Sequence, residues 1–210
     1  MLSQYNNNCY FTSFIHLLSL TGGEWKCVKY PKIEIVLKSL QNNNITPIID
    51  KLAISIFNET KTHDGPDFVN TTKKLFIDKL GLHNELVVFE NEVSKISLPS
   101  KKYYITSDFP NNTGLENPTF VDLVNCFNPF DLNQVIKIGS INLRVLGFTI
   151  STGSHNFTIA RKRTPIYEKF CSINPLDNEI KILSDDKMAY LLYKIQTCEY
   201  NIEFYLYEKC

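Results

Sequence analysis

Two hydrophobic periods meet near residue 85, and that boundary constrains the fold more than any single motif. Before it, apolar residues recur at helical spacing. Residues 9–20, CYFTSFIHLLSL, are apolar at 10, 11, 14, 15, 17, 18 and 20. This predicts a largely buried helix with Cys9 at or near its first turn, stopped by Gly22 and Gly23. Residues 31–57 predict one or two short helices, broken around Pro47. In THDGPDFVNTTKKLFIDKLGL, Pro66 fits a first helical turn. Phe68, Leu75, Phe76 and Leu80 then form a stripe ending at Gly81.

After the boundary the pattern is β-branched and aromatic, with turn residues between runs. The predicted strands are LVVFE (86–90), KYYIT (102–106), IKIGSINLRVLGFTIS (136–151), FTIAR (157–161), KFCSIN (169–174) and EIKIL (179–183). FPNNTGLENP (109–118) reads as a loop. The tail, DKMAYLLYKI then EYNIEFYLYEK, fits a strand pair or a helix and a strand. Helices first and strands second argue for an α+β chain, its helices packed on an antiparallel sheet. No repeat or linker divides it. The expectation is one domain over 1–210, mainly helical to residue 85 and mainly β from 86 to 210.

Composition narrows the function. Formal net charge is zero and the pI is near 6.9, so no basic footprint for nucleic acid is evident. The short cluster Arg161, Lys162, Arg163 reads as a solvated loop. None of the six cysteines forms a C-x-x-C pair, which argues against a zinc site, and no other cofactor is implied. The start MLSQYNNN lacks a basic segment followed by an apolar one, and no apolar run approaches the ~18 residues of a membrane span. The expectation is a soluble, intracellular, reduced monomer with no membrane partner.

One constellation carries chemistry. A nucleophilic cysteine needs a helix N-terminus or an imidazole to form its thiolate, a histidine to move its proton, and a polar group to hold that ring. Cys9 has the predicted helix start. His16 lies seven residues on along the same helix, about 10 Å away at 1.5 Å per residue, too far for contact. His63 and His83 flank the second helical segment. His155, in TGSHNFTIAR between two apolar runs, can face a helix N-terminus from the mouth of two strands. Asn174 ends the following strand and is the candidate third member. The lone cysteine, histidine and asparagine also have bland readings as core, surface and turn residues.

Taken together and in this order, these segments resemble the ubiquitin-specific protease family of deubiquitinases. QYNNNCYFTSFIH resembles the cysteine box N-x-G-N-T-C-Y-x-N-S-x-x-Q, with Cys9, Tyr10 and Ser13 matching and Gln4, Thr12 and His16 replacing Asn, Asn and Gln. HDGPDFVNTTKKLFIDKL resembles Q-D-A-x-E-F-L-x-x-L-L-D-x-L through Asp64 and Phe68, with Asp67 standing for Glu. INLRVLGFTISTGSHNFTIAR resembles the histidine box, with Ser154 and Asn156 replacing its Gly and aromatic residue. AYLLYK (189–194) resembles the closing strand A-Y-x-L-x-Y.

The resemblance implies a papain-like fold with a helical thumb and a strand-rich palm, the fingers reduced or absent. It implies hydrolysis of the isopeptide or peptide bond after the C-terminal Gly of ubiquitin or a ubiquitin-like protein. Cys9 would be the nucleophile, His155 the base, and Asn174 (or Asp177 in a shifted register) its orienter. Gln4 would donate to the oxyanion. Asp64 and Asp67 would meet the arginine-bearing tail of ubiquitin, or else cap the helix that follows. The separation of 146 positions from Cys9 to His155 falls within the roughly 130–150 of papain-like enzymes. Three other readings stay open: a papain-like protease for another modifier or a polyprotein, a non-catalytic module that binds ubiquitin or a host protein, and a structural α+β domain whose segments match by chance.

Overall fold

Proline opens two of the helices. α1 (Cys9–Ser19) is followed by α2 (Pro31–Gln41) and α3 (Pro47–Thr60), each proline standing where a missing N–H leaves no bond unmade. The computed structural model describes residues 1–2, 8–20, 26–27, 31–60, 82–83, 86–88, 101–106, 128–138, 140–163, 165–174, 176 and 179–210. The expected helix after Pro66, the loop at 109–118, Gln4, Asp64, Asp67 and Asp177 lie outside them. The break expected at Pro47 is a turn in which Asn43 takes a left-handed φ of 52°. Asn43 N–H donates to Leu40 O and Asn44 N–H to Ser39 O, at 3.1 and 2.8 Å, closing the end of α2.

The strands are β1 (Lys26–Cys27), β2 (Leu82–His83), β3 (Leu86–Val88), β4 (Tyr103–Thr106), β5 (Val135–Ile138), β6 (Ile141–Ser151), β7 (Asn156–Arg163), β8 (Glu168–Asn174), β9 (Glu179–Ile182) and β10 (Asn201–Lys209). β1 and β2 pair separately. The main sheet runs β3-β4-β10-β6-β7-β8-β9, with β5 also paired to β6. It is antiparallel except where β3 lies parallel to β4.

Both faces of this sheet are covered, and β10 shows it by alternation. Phe204 and Leu206 join Phe11, Phe14, Ile15, Leu18 and residues of α2 and α3 on one side. Tyr205 and Tyr207 join Phe130, Phe148 and Phe170 on the other, beneath Leu191 and Ile195 of α4 (Asp185–Gln196). α1 is therefore buried nearly all round, between α2–α3 and the sheet, as its continuous apolar sequence demands. Two bulges adjust the sheet. Tyr207 pairs with Val145 but Leu206 with Gly147, leaving Leu146 extra on β6. That extra residue lets odd positions (Ile141, Leu143, Val145) and then even ones (Phe148, Ile150) face one core. The second bulge leaves Glu203 extra on β10 between Ile202 and Phe204.

Two expectations are corrected. AYLLYK is no strand: it lies within α4. Ser184 caps that helix by accepting from Lys187 N–H, Asp185 and Asp186 fill its first turn, and Leu191 and Ile195 bury a face at helical spacing. Cys198, at φ 58°, ends it. The strand that closes against β6 is β10, NIEFYLYEK. Nor is the Arg161–Arg163 cluster a loop, although Lys162 within it is exposed. It belongs to β7, and Arg161 is 5% exposed. Its guanidinium donates to the Val145 carbonyl at 3.0 Å and to the Leu132 carbonyl, while Nε lies 2.7 Å from Glu168 Oε1. Two carbonyls and a carboxylate replace the water that a loop would supply.

Gly147 sets how closely α1 approaches the sheet. A Cβ there would stand 2.7 Å from the Ile159 carbonyl oxygen and 2.7 Å from Leu20 Cδ1 at the end of α1. The carbonyl belongs to a sheet strand and cannot yield easily. Gly147→Ala should therefore lower unfolding stability by about 1–3 kcal/mol, read by denaturant titration. An unchanged midpoint would contradict this packing.

Candidate active site

The register between α1 and β7 builds the site. Four residues of helix rise about 6 Å and two residues of strand about 6.6 Å, so a helix lying along a strand meets it at matched intervals. Here Thr158 Oγ donates to the Ser13 carbonyl at 2.7 Å, and one helical turn earlier Cys9 Sγ meets Asn156 Oδ1 at 3.9 Å. The N-terminus of α1 is thereby fixed at the start of β7, beside the β6–β7 turn.

That turn carries His155. Ser151 and Asn156 are the last paired residues, so Thr152, Gly153, Ser154 and His155 form the connection. Thr152 N–H donates to the His155 carbonyl at 2.9 Å, its hydroxyl to the same oxygen at 3.2 Å, and Gly153 takes φ 84°, where glycine is unstrained. The half-buried ring faces the end of β8, with Nε2 2.8 Å from Asn174 Oδ1. That oxygen also accepts the Leu176 N–H at 3.0 Å, which marks it as the amide's acceptor end. The ring therefore donates from Nε2, and Nδ1 keeps the lone pair that can take a proton.

Cys9 is 6% exposed. Among the described residues its hydrogen bond runs to Asn156, and none joins Sγ to the His155 ring. Burial is the largest influence on the thiol and pushes it up from its ordinary range. The backbone N–H groups of Asn156, Tyr10 and Cys9 pull the other way, and the Glu203 charge adds to the rise. The first turn of α1 holds no acidic residue and Asn8 makes no side-chain cap, so neither offsets the positive end of the helix dipole. Asn156 donates from Nδ2 to Glu203 Oε2, 2.5 Å away, and Ser151 also bonds that carboxylate. Burial pushes the Glu203 carboxyl up as well.

Sequence reasoning placed Cys9, His155 and Asn174 as candidates, and all three come to this end of the sheet. It missed Asn156 and Glu203. Asn156 stands next to His155, where the resemblance marks only a replaced flanking residue. Glu203 carries no sequence signal, because a bulge brings it here. Gln4, Asp64 and Asp67 lie outside the described residues. Among the described residues no group of three His, Cys, Asp or Glu gathers as a metal would require, and no helix is long and apolar enough to cross a membrane. His16 does not join the site. It is buried in α1, its Nε2 accepting the Leu2 N–H at 3.4 Å.

A thiol at a helix N-terminus, near an imidazole steadied by an amide, has the parts for nucleophilic attack with proton transfer. No family model and no curated protein matches this chain. Among solved structures it is similar to the Saccharomyces cerevisiae PAN2 pseudoubiquitin-hydrolase, at 9% identity and TM-score 0.46, over 96% of this chain and 79% of that one. It is also similar to the S. cerevisiae apo Pan2 pseudoubiquitin hydrolase-RNA exonuclease module in complex with AAGGA RNA. There the identity is 8% and the TM-score 0.34, over 95% of this chain and 42% of that one.

Proposed function

We propose that this chain is a thiol-dependent hydrolase of the bond after the C-terminal Gly of ubiquitin or a ubiquitin-like protein. The observation that carries the reading is the His155–Asn174 pair, held 2.8 Å apart beside the N-terminus of the helix that begins at Cys9. In this mechanism Nδ1 of His155 takes the thiol proton and Cys9 attacks the scissile carbonyl. The backbone N–H of Cys9, with Gln4, holds the oxyanion, a single such donor being worth roughly 3–4 kcal/mol. His155 returns the proton to the leaving amine, and water resolves the thioester. Asn174 keeps the ring in its Nε2–H tautomer throughout. Asp64 and Asp67 receive the basic tail of ubiquitin. Among the described residues, Cys9, Cys171, Cys198 and Cys210 are free thiols, compatible with a reducing, intracellular setting.

The test is hydrolysis of ubiquitin carrying a fluorogenic C-terminal amide. Wild type should release the fluorophore and Cys9→Ala should not. Release by both proteins alike would remove the reading.

A second reading has its own observation. Cys9 is buried, its thiol is pushed up, and it bonds Asn156 rather than the imidazole. A domain that binds ubiquitin or another protein without cleaving it would keep this arrangement unchanged on binding. It predicts saturable ubiquitin binding with no turnover.

A further inference from the structure

We propose that the Asn156 side-chain amide is a two-position relay that couples ionisation of Cys9 to protonation of Glu203, holding the site as a neutral thiol while Glu203 is charged. The inference rests on Cys9 being the nucleophile of the hydrolase proposed above. Its basis is geometric. The β10 bulge turns Glu203 toward the start of β7, with Oε2 2.5 Å from Asn156 Nδ2. An ionised carboxylate only accepts hydrogen bonds, so it must face the NH₂ end of the amide. The other end, Oδ1, is then committed to the sulfur, 3.9 Å away. A carbonyl oxygen beside sulfur suits S–H, which can donate to it, and repels S⁻.

A proton on Glu203 reverses every polarity. The carboxylic O–H can donate to Oδ1, the amide turns over about its terminal torsion, and Nδ2 donates to the thiolate. The protons balance: Glu203 takes one from solvent, and the thiol gives its own to Nδ1 of His155. Asn156 is 7% exposed, so little water competes for either end of the amide. Among the described residues, the titratable groups acting on the thiol are Tyr10 on α1 and Glu203 on β10, with His155 next to Asn156 at the head of β7; from β6 the Ser151 hydroxyl bonds Glu203. The Glu203 carboxyl, which burial pushes up, is thus a charge able to move the amide. Glu203 is a positioning residue in this scheme, and Asn156 touches the reacting sulfur.

The test is alkylation of Cys9 by iodoacetamide in the full chain. Rates are read at that peptide by mass spectrometry from about pH 5 to about pH 10. Glu203→Gln keeps the shape and removes the charge. It should move the midpoint of the rate profile toward acid and raise the rate at neutral pH by roughly threefold or more. In an Asn156→Ala background, the same change should move the midpoint less than half as far. An equal movement in both backgrounds would mean bare charge repulsion and would overturn the relay, as would no movement at all. The readout needs no ubiquitin. A coupled shift without ubiquitin hydrolysis removes the substrate assignment and keeps the relay; hydrolysis without a shift does the reverse.

Discussion

His155→Ala should lower kcat/KM for a ubiquitin conjugate by about 10²–10⁴-fold, the range that a positioned general base contributes. The loss should fall on kcat, with KM nearly unchanged, because the ring acts on protons in motion and not on the bound tail. The size follows from the thiol's surroundings. Burial holds Cys9 as S–H, so the anion does not form unaided near neutral pH. Something must take the proton, and Nδ1 of His155 is the lone pair left free once Nε2 is committed to Asn174. Asn174→Ala should give a smaller loss of the same kind, since the ring would remain but lose its fixed tautomer. Steady-state kinetics on the three proteins check this. Equal rates for wild type and His155→Ala would remove His155 from the chemistry.

Acid should destabilise the protein through His16. This side chain is wholly buried in α1, and burial, helped by the positive chain terminus, holds its pKa near 3 against an ordinary 6.5. Above pH 6.5 the ring is neutral folded and unfolded, and it makes no difference. As pH falls through 6.5 the unfolded chain gains a proton that the native chain refuses until about pH 3. Each pH unit in that window removes roughly 1.4 kcal/mol, or about 3 kcal/mol between pH 7 and pH 4. Glu203 works in the opposite sense. Its raised carboxyl favours the fold at acid pH and loses that contribution as pH rises past the ordinary carboxylate range. Comparison with His16→Gln isolates the histidine, because glutamine keeps an acceptor for the Leu2 N–H and cannot titrate. Denaturant unfolding at pH 7 and pH 4 should find wild type losing about 3 kcal/mol more than the variant. Equal losses would mean that His16 is not held neutral.

Local pattern revealed most of the fold. α1, the break at Pro47, and the strands of the second half follow from period and punctuation alone. Two expectations failed, one against local helix signals and one for want of distant partners. AYLLYK carries tyrosines that suit a strand, but Ser184, two aspartates and the Leu191–Ile195 spacing make it helical, and that helix covers the far face of the sheet. Arg161 looks like surface until β6, β8 and the segment at Leu132 are folded around it. The site divides the same way. Cys9, His155 and Asn174 are legible because a helix start and two strand ends are local events. Glu203 meets Asn156 only because of a bulge, a one-residue shift between strands that only the paired sheet defines.

The most direct measurement is covalent capture by ubiquitin bearing an electrophile at its C-terminus, followed by mapping of the modified residue. The account predicts one adduct, on Cys9, formed by wild type, absent in Cys9→Ala and slowed in His155→Ala. An adduct that persists in Cys9→Ala would contradict it. So would a wild-type chain that forms none while binding ubiquitin, which would leave a module that recognises ubiquitin without cutting it.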